Sequence, residues 1–169
     1  AGKPVIAYAD NYSQGQYYLA SFADEIYLNS IGNVDIHGLS QENLYFKEML
    51  DKLAVTPHIF RVGTYKSAVE PFLRNDMSAE AKANMQRWLG EMWNNYILSV
   101  SENRKIKKDN VLPNAKQYLS DLKVLKGNST AYAQQRGLVT DVVTRLDLDK
   151  KLSFPFKIPS GMKEITIKN

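Results

Sequence analysis

The stretch PVIAYADNYSQGQYYLASF, residues Pro4–Phe22, combines an apolar run with the start of a helix. Pro4–Ala9 is uninterrupted by charge, as in strands that are buried on both faces of a parallel sheet. Ser13 and Gln16 follow with the spacing of a capping box, and an apolar helix opens at Tyr17. A buried strand that leads directly into a helix predicts an α/β fold.

The next 40 residues continue this alternation. EIYLN (Glu25–Asn29) and NVDIHGL (Asn33–Leu39) have the composition of short strands, with SIG as the turn between them. Gln41–Leu53 has apolar residues along one side and predicts an amphipathic helix. Pro57–Val62 predicts a further strand, so the order of elements favours α/β architecture throughout this part of the chain.

Beyond Pro71 the pattern is mainly helical. Ser78 is placed to cap a long helix. The apolar residues of that helix recur at spacings of three and four and predict a stripe that faces the core: Met85, Trp88, Leu89, Met92, Trp93, Tyr96, Ile97 and Val100. A short helix should follow within Ser129–Val142 and stop at Gly137, with Leu138 turning back towards the core. Glu164–Asn169 has the pattern of an edge strand.

Length and composition indicate one globular domain. The chain has 169 residues, of which 44% are hydrophobic and 24% charged, and its formal net charge is +4. This excess is too small to indicate nucleic acid as a partner. The absence of cysteine excludes disulfides and thiolate catalysis. Because an apolar strand directly follows Ala1-Gly2-Lys3, with no initiating Met, we expect the chain to be a fragment of a longer protein.

Common catalytic and binding motifs find little support. His37 and His58 are 21 positions apart and lack the spacing of a helical zinc pair, which favours structural roles. The glycines form neither a phosphate-binding loop nor a dinucleotide fingerprint, so no cofactor is predicted. Ser13 lies between a strand and a helix, as a nucleophile would, but the flanking glycines of such an elbow are missing. Helix capping accounts for Ser13.

Lys66 is the candidate that differs in its surroundings. It lies in FRVGTYKSAVEPF, residues Phe60–Phe72, among small and apolar residues instead of in a polar run. A lysine acts as a general base only when neutral, which requires its pKa of about 10.4 to fall by roughly 3 units. Burial among apolar groups produces such a fall. Ser67 is adjacent in sequence, and in an extended segment its side chain would point to the opposite face.

Five stretches resemble a known family in order along the chain. They are Lys3–Asn29, LYFKEMLDKL (Leu44–Leu53), Phe60–Phe72, RNDMS (Arg74–Ser78) and RWLGEMWNNY (Arg87–Tyr96). Together they resemble the amino-terminal half of the bacterial signal peptide peptidase A family (protease IV, peptidase family S49), in its long, tandem type. The resemblance is loose beyond residue 100 and ends near Val142.

The resemblance implies a membrane-anchored serine endopeptidase with a Ser-Lys dyad that degrades cleaved signal peptides. It also implies a ClpP/crotonase-like α/β fold, present here in part, a homotetramer, and a location at the bacterial inner membrane facing the periplasm. No cofactor, metal or nucleic acid is implied. On this basis residues 1–142 should form the domain that carries the catalytic lysine, and residues 143–169 a helix and linker towards the carboxy-terminal half.

Matched residue by residue, Lys66 in GTYKSAVEP corresponds to the general-base lysine of the family. The nucleophilic serine of the long type belongs to the carboxy-terminal half, in a stretch similar to ASGGYY. The comparable SQGQYY here has Gln14 at the serine position, retains Gly15, and has Gln16 at the second glycine. We therefore expect this chain to supply the base of a split active site and to be inactive alone.

Two other functions stay open at this point. The chain could be a non-catalytic scaffold of the same fold, in which Lys66 is simply buried or paired with a carboxylate. It could also be a basic module that binds anionic membranes through Arg104, Lys105, Lys107 and Lys108.

Overall fold

The computed structural model describes residues 3–60 and 67–153 of the chain. They form two units. Unit 1 combines the chain up to Ile36 with the chain from Ser99 onward, and unit 2 is His37–Leu98. Strands occur in unit 1, and the described elements of unit 2 are helical.

The described elements alternate as an α/β fold at the start of the chain and are mostly helical after it. The strands are β1 (Ile6–Ala9), β2 (Tyr12–Ser13), β3 (Glu25–Leu28), β4 (Val34–Asp35) and β5 (Asp141–Val142). The helices are α1 (Gln14–Ala20), α2 (Lys47–Lys52), α3 (Glu70–Leu73), α4 (Ala79–Arg104), α5 (Lys108–Val111), α6 (Ala115–Val124), α7 (Ser129–Gln135) and α8 (Arg145–Ser153).

All described strand pairs are parallel. β3 is the middle strand of a sheet with the order β1–β3–β5, and β2 pairs with β4 in a second sheet. Ile6 lies opposite Glu25, Tyr27 opposite Asp141, and Tyr12 opposite Val34. The predicted α/β class is confirmed in these sheets, although the strand predicted for Asn33–Leu39 is only the two residues of β4.

The core of unit 1 lies around β3. Ile26 and Leu28 are fully buried, as expected for the central strand of a parallel sheet. β1, which was predicted to be buried on both faces, is only half-buried, because it lies at an edge of the described sheet. Tyr17 of α1 is fully buried against this core, and its hydroxyl donates a hydrogen bond to the carbonyl of Leu138 at 2.5 Å.

The turn after β3 requires glycine. A Cβ atom at Gly32 would lie 1.9 Å from the carbonyl oxygen of Asp10, a distance that no side chain tolerates. The Gly32 amide closes the turn by donating to the Asn29 carbonyl at 3.0 Å. The glycine of the predicted SIG turn therefore allows the chain to pass close to the segment that joins β1 and β2.

The predicted stop of α7 is confirmed. Gly137 has φ +74°, in the left-handed region, and its amide donates to the carbonyl of Gln134 at 3.0 Å. Leu138 and Val139 then enter the core, where each is almost completely buried.

Two predicted elements of unit 2 are wrong. The helix expected over Gln41–Leu53 begins only at Lys47. The amide of Phe46, just before it, donates to the carbonyl of Pro71 at 2.6 Å, so a tertiary contact replaces the preceding helical turn. Residues 57–60 of the predicted strand are not in a strand, and its last two residues lie outside the described part of the chain, as does the strand predicted for Glu164–Asn169.

The apolar stripe of α4 was predicted to face the core, and this is wrong at two of its eight residues, while five others are half-buried. Val100 is buried, but Trp88 is 53% exposed and Met92 is 45% exposed. These two residues lie in unit 2, whose described apolar side chains form no buried layer for them to pack against. Among the described residues, no helix has the combination of length and apolar character that would span a membrane.

The hydroxyl of Tyr17 should be important for the stability of unit 1. In Tyr17→Phe the buried carbonyl of Leu138 would lose this donor, which typically costs about 1–3 kcal/mol of unfolding free energy. Urea denaturation followed by circular dichroism would measure the change. The control is Tyr118→Phe, because Tyr118 is 40% exposed. Equal midpoints for the two variants would show that the hydrogen bond is unimportant.

Candidate active site

The candidate base, Lys66, lies in residues 61–66, outside the described residues. The chain is described again from the next residue, where a short 3-10 turn, Ser67–Val69, leads into α3. The described geometry next to the candidate base is therefore that of the residues that follow Lys66 in the sequence.

A buried carboxylate anchors this flank. Glu70 is only 7% exposed, and it accepts hydrogen bonds from the amide of Ser78 at 3.1 Å and from its hydroxyl at 2.5 Å. The Ser78 hydroxyl in turn accepts from the amide of Ala81 at 3.2 Å. Ser78 therefore caps α4 as predicted, and Glu70 adds negative charge near the helix amino terminus, where the helix dipole favours it.

α2 anchors α3 from another side. The amide of Phe46 donates a hydrogen bond to the carbonyl of Pro71, and the rings of Phe46 and Phe72 are stacked with centroids 6.0 Å apart. The amide of Glu48 also donates to the side chain of Asn75 at 3.1 Å. The residues that follow Lys66 are thus held by hydrogen bonds and ring contacts to two helices of unit 2.

Ser13 is a helix cap, as predicted. Its hydroxyl accepts a hydrogen bond from the amide of Gln16 at 3.5 Å, and the side-chain oxygen of Gln16 accepts from the amide of Ser13 at 2.9 Å. This reciprocal capping box uses the Ser13 side chain to begin α1. The described contacts of the hydroxyl are those of a structural residue, with no adjacent base.

Gln14 and Gly15 are the first two residues of α1. A Cβ atom at Gly15 would meet no other atom within 4 Å, so the described residues provide no packing reason for glycine at this position. The similarity of SQGQYY to the nucleophile stretch of the family therefore rests on the sequence alone.

The histidines are both exposed and contribute nothing to the described core. In residues 3–60 and 67–153 there is also no group of three or more His, Cys, Asp or Glu side chains that could hold a metal ion.

Two raised pKa values in the described part of unit 1 keep protons on their groups. A hydrogen bond to Asp141 raises the pKa of Lys151, which keeps this lysine charged. Burial raises the pKa of Tyr12 to about 12, which keeps its hydroxyl protonated at neutral pH. A general base needs the opposite arrangement, namely a group that is unprotonated at the working pH.

The basic cluster contains a residue that is committed to the fold. Arg104 ends α4, and its guanidinium donates to the carbonyl of Ala23 at 3.4 Å and to the hydroxyl of Thr140 at 3.2 Å. Lys105 is exposed in the left-handed region at φ 55°, and Lys107 and Lys108 are exposed at the start of α5. Arg104 thus joins the end of α4 to the segment before β3 and to the residue before β5.

A cavity of about 80 Å³ lies beside β4 in unit 1, between α6 and α7. Its walls include Val34, Leu122 and Tyr132. One water molecule needs roughly 10–15 Å³ of cavity volume. The cavity therefore has room for a few waters and is too small for an extended peptide.

Comparison with known families identifies the chain. The model of Peptidase family S49 matches residues 1–153, which include Lys66 and its flanking residues. The chain belongs to peptidase family S49.

Relatives of known name are consistent with this assignment. The chain is 94% identical over 156 residues to Protease 4 of Haemophilus influenzae and 49% identical over the same length to Protease 4 of Salmonella typhi. It is 23% identical over 172 residues to the chloroplastic serine protease SPPA of Arabidopsis thaliana. The alignments cover 92%, 92% and 99% of this chain and 25% of each relative. The chain thus spans about a quarter of the length of these S49 relatives.

The contact between Glu70 and Ser78 was not predicted from the sequence. Ser78 was identified as a cap, but nothing in the local pattern indicates that a glutamate eight residues earlier would be buried against it. The signal that was available is the glutamate itself, which precedes Pro71 in an otherwise apolar stretch.

If Ser13 is only a cap, its removal should affect stability and not catalysis. Ser13→Ala should cost about 1 kcal/mol of unfolding free energy, because the Gln16 amide loses its acceptor. In the intact S49 polypeptide, kcat and KM should stay near those of the unmodified protein. A loss of kcat with unchanged thermal stability would instead make Ser13 part of the catalytic machinery.

Glu70→Ala tests the anchor of the lysine segment. Removal of the buried carboxylate leaves the Ser78 amide without its acceptor and should lower the free energy of unfolding by about 1–3 kcal/mol, measured by urea denaturation. Glu91→Ala is the matched control, since Glu91 is an exposed residue on α4. Similar small effects in both variants would refute the anchoring role.

Proposed function

We propose that this chain is the base-bearing part of a membrane-associated serine endopeptidase that degrades cleaved signal peptides. The observation that carries the proposal is the S49 match, which runs through GTYKSAVEP and includes Lys66. The names of two relatives support the reaction class: a serine protease in Arabidopsis thaliana and a putative signal peptide peptidase in Enterococcus faecium.

In this mechanism neutral Lys66 is the general base of a Ser-Lys dyad. Its amine takes the proton from a serine hydroxyl while the serine oxygen bonds to the carbonyl carbon of the scissile peptide. The resulting ammonium then gives that proton to the leaving amine, and an acyl-enzyme remains. Water, deprotonated in turn by the amine, releases the acyl product. The first step requires a depressed Lys66 pKa, at a cost of about 4 kcal/mol for 3 pKa units.

The nucleophile and the oxyanion donors are assigned to the carboxy-terminal half of the same polypeptide. Two facts support this division: Gln14 stands at the serine position of the matching stretch, and Ser13 is engaged as a cap. The relatives are about four times longer than the aligned region, which leaves ample chain for the second half. This chain alone should therefore hydrolyse no peptide.

The wider setting of the enzyme belongs to the same proposal. The parallel sheets with flanking helices are compatible with a ClpP/crotonase-like domain over residues 1–142, followed by a helix and linker over 143–169. The full polypeptide would form a homotetramer at the bacterial inner membrane, with its catalytic domains facing the periplasm. It would use peptides as substrates and require no cofactor.

The alternative of a basic membrane-binding module is less well supported. Arg104, one of its four cations, makes hydrogen bonds within unit 1. The other alternative is a non-catalytic scaffold. In a scaffold, a change of Lys66 would leave peptide hydrolysis intact, whereas in the proposed peptidase it would abolish hydrolysis.

Substitution of Lys66 in the intact polypeptide tests the assignment. Lys66→Ala should lower kcat for a chromogenic peptide ester by at least about 10²–10⁴, the usual contribution of a general base. Lys66→Arg should be equally inactive, because a guanidinium stays charged at any working pH. Both variants should retain the thermal stability of the unmodified protein.

The control is Lys52→Ala, since Lys52 is a 74% exposed lysine of the same unit and pairs with Glu48 on the surface. It should keep full activity. Substantial hydrolysis by Lys66→Ala would favour the scaffold function and exclude the base assignment.

A further inference from the structure

Positive charge is concentrated in one segment of unit 1. Residues 104–126 contain seven basic and two acidic residues, which gives this segment a net charge of +5, whereas the whole chain carries +4. Residues 1–36, by contrast, contain one basic and four acidic residues. Such an uneven distribution is typical of a protein that presents a cationic surface to an anionic partner.

The helix α6 lies within this segment, and one side of it is occupied by contacts inside unit 1. The ring of Tyr118 meets the ring of Tyr132 edge-on, with centroids 5.2 Å apart. Asp121 forms an ion pair with Arg136 at 2.9 Å. Leu122 lines the small cavity beside β4. The inward side of α6 therefore takes up the acidic residue of the helix.

The outward side of α6 is exposed and combines cationic with apolar residues. Its positions follow helical spacing, so they lie on one side of the helix: Lys116, Leu119, Lys123 and Val124. Leu119 is 65% exposed and Val124 is 79% exposed. Lys126, two residues beyond the end of the helix, adds a third exposed cation. We call these five residues the α6 face.

The composition of the α6 face indicates which anionic partner it fits. Duplex nucleic acid attracts lysines through its phosphates, but that phosphate surface has no apolar groups to cover Leu119 and Val124. A lipid surface offers both kinds of contact, because anionic headgroups lie directly above the acyl chains. Helices that lie in the bilayer interface combine Lys with Leu for this reason.

We propose that the α6 face contacts an anionic lipid surface. Its three lysines would lie among the phosphate headgroups, and its two apolar side chains at the boundary with the acyl chains. Arg104 is not part of this contact, because its guanidinium is bound within unit 1. The inference rests on the proposed function only in that this function brings the polypeptide to a membrane, and it does not involve Lys66.

Such a contact is weak alone and becomes effective in a protein that is held near a membrane. Each lysine close to an anionic lipid surface strengthens binding about fivefold. One weak signal gives reversible membrane binding, whereas two signals together give stable binding. In a polypeptide that is already at the membrane, the α6 face would determine which side of unit 1 is turned towards the bilayer.

Sedimentation of the 169-residue chain with lipid vesicles tests the proposal. The unmodified chain should bind vesicles of mixed phosphatidylglycerol and phosphatidylcholine far better than vesicles of phosphatidylcholine alone. A variant that combines Lys116→Gln, Lys123→Gln and Lys126→Gln should bind the anionic vesicles with a partition coefficient lowered on the order of 100-fold, because each change removes about a factor of five. Equal binding of the unmodified chain to both kinds of vesicle would overturn the proposal.

The control variant combines Lys3→Gln, Lys52→Gln and Lys82→Gln. These three lysines are exposed and lie outside α6, so the control loses the same number of charges. It should bind the anionic vesicles nearly as well as the unmodified chain, and circular dichroism checks that both variants keep their helix content. A loss of binding as large as that of the α6 variant would show that net charge alone is responsible and would overturn the α6 face.

A fluorescent label distinguishes burial of the apolar residues in lipid from attraction by charge alone. The chain has no cysteine, so Leu119→Cys provides a single attachment site for an NBD label, whose emission moves to shorter wavelength in lipid. Leu146→Cys is the matched control, because Leu146 on α8 is also 65% exposed. Anionic vesicles should shift the emission from position 119 and leave that from position 146 unchanged. Equal shifts at both positions, or no shift at position 119, would overturn the proposal.

The vesicle assay also separates this inference from the catalytic one. Lys66→Ala should bind anionic vesicles as the unmodified chain does, because lipid contact depends on the α6 face and not on proton transfer. In the intact polypeptide, the combined α6 variant should keep its kcat for a chromogenic peptide ester. If Lys66→Ala kept its activity while the α6 variant still lost vesicle binding, the lipid contact would stand and the base assignment would fall.

Discussion

The pairing of β3 with both of its neighbours holds unit 1 together. On one side Ile6–Ala9 adds a strand from the start of the chain, and on the other Asp141–Val142 adds one from more than 110 residues later. Thr140 reinforces the pairing of β3 with β5 through two hydrogen bonds. Its amide donates to the carbonyl of Ile26, and its hydroxyl accepts from the amide of Ile26. Tyr17 is also bound next to this junction, because its hydroxyl donates to the carbonyl of Leu138, two residues before Thr140.

The sequence predicted best those features that depend on local chemistry. The capping box at Ser13, the cap at Ser78 and the stop at Gly137 each involve residues within a few positions of one another, and each is confirmed. The strands β1 and β3, and part of β4, were also predicted from apolar runs bounded by turn residues, whereas β2 and β5 were not predicted. Here local preference and tertiary packing agree, which is the condition for a reliable prediction.

The errors fall where a distant partner determines the outcome. α2 begins late because Phe46 bonds to Pro71, and this contact has no signature in the sequence. The stripe on α4 was identified correctly as apolar, but periodicity does not reveal what covers a helix face. Of the candidate site, Lys66 stays a prediction from the sequence, because it lies outside the described residues. The hydrogen bonds between Glu70 and Ser78 were not predicted and became visible only in the structure.

The contrast between the units bears on how such a base would work. A lysine is neutral at working pH only where water is kept away from it, and unit 2 has no described apolar core of its own to do so. Under the split-site proposal, the docking of the partner half would both bring the serine and desolvate the amine. The pKa of Lys66 would then fall only in the assembled enzyme, and a separate unit would carry a charged, inactive lysine. Catalysis would then depend on the assembly of the two halves.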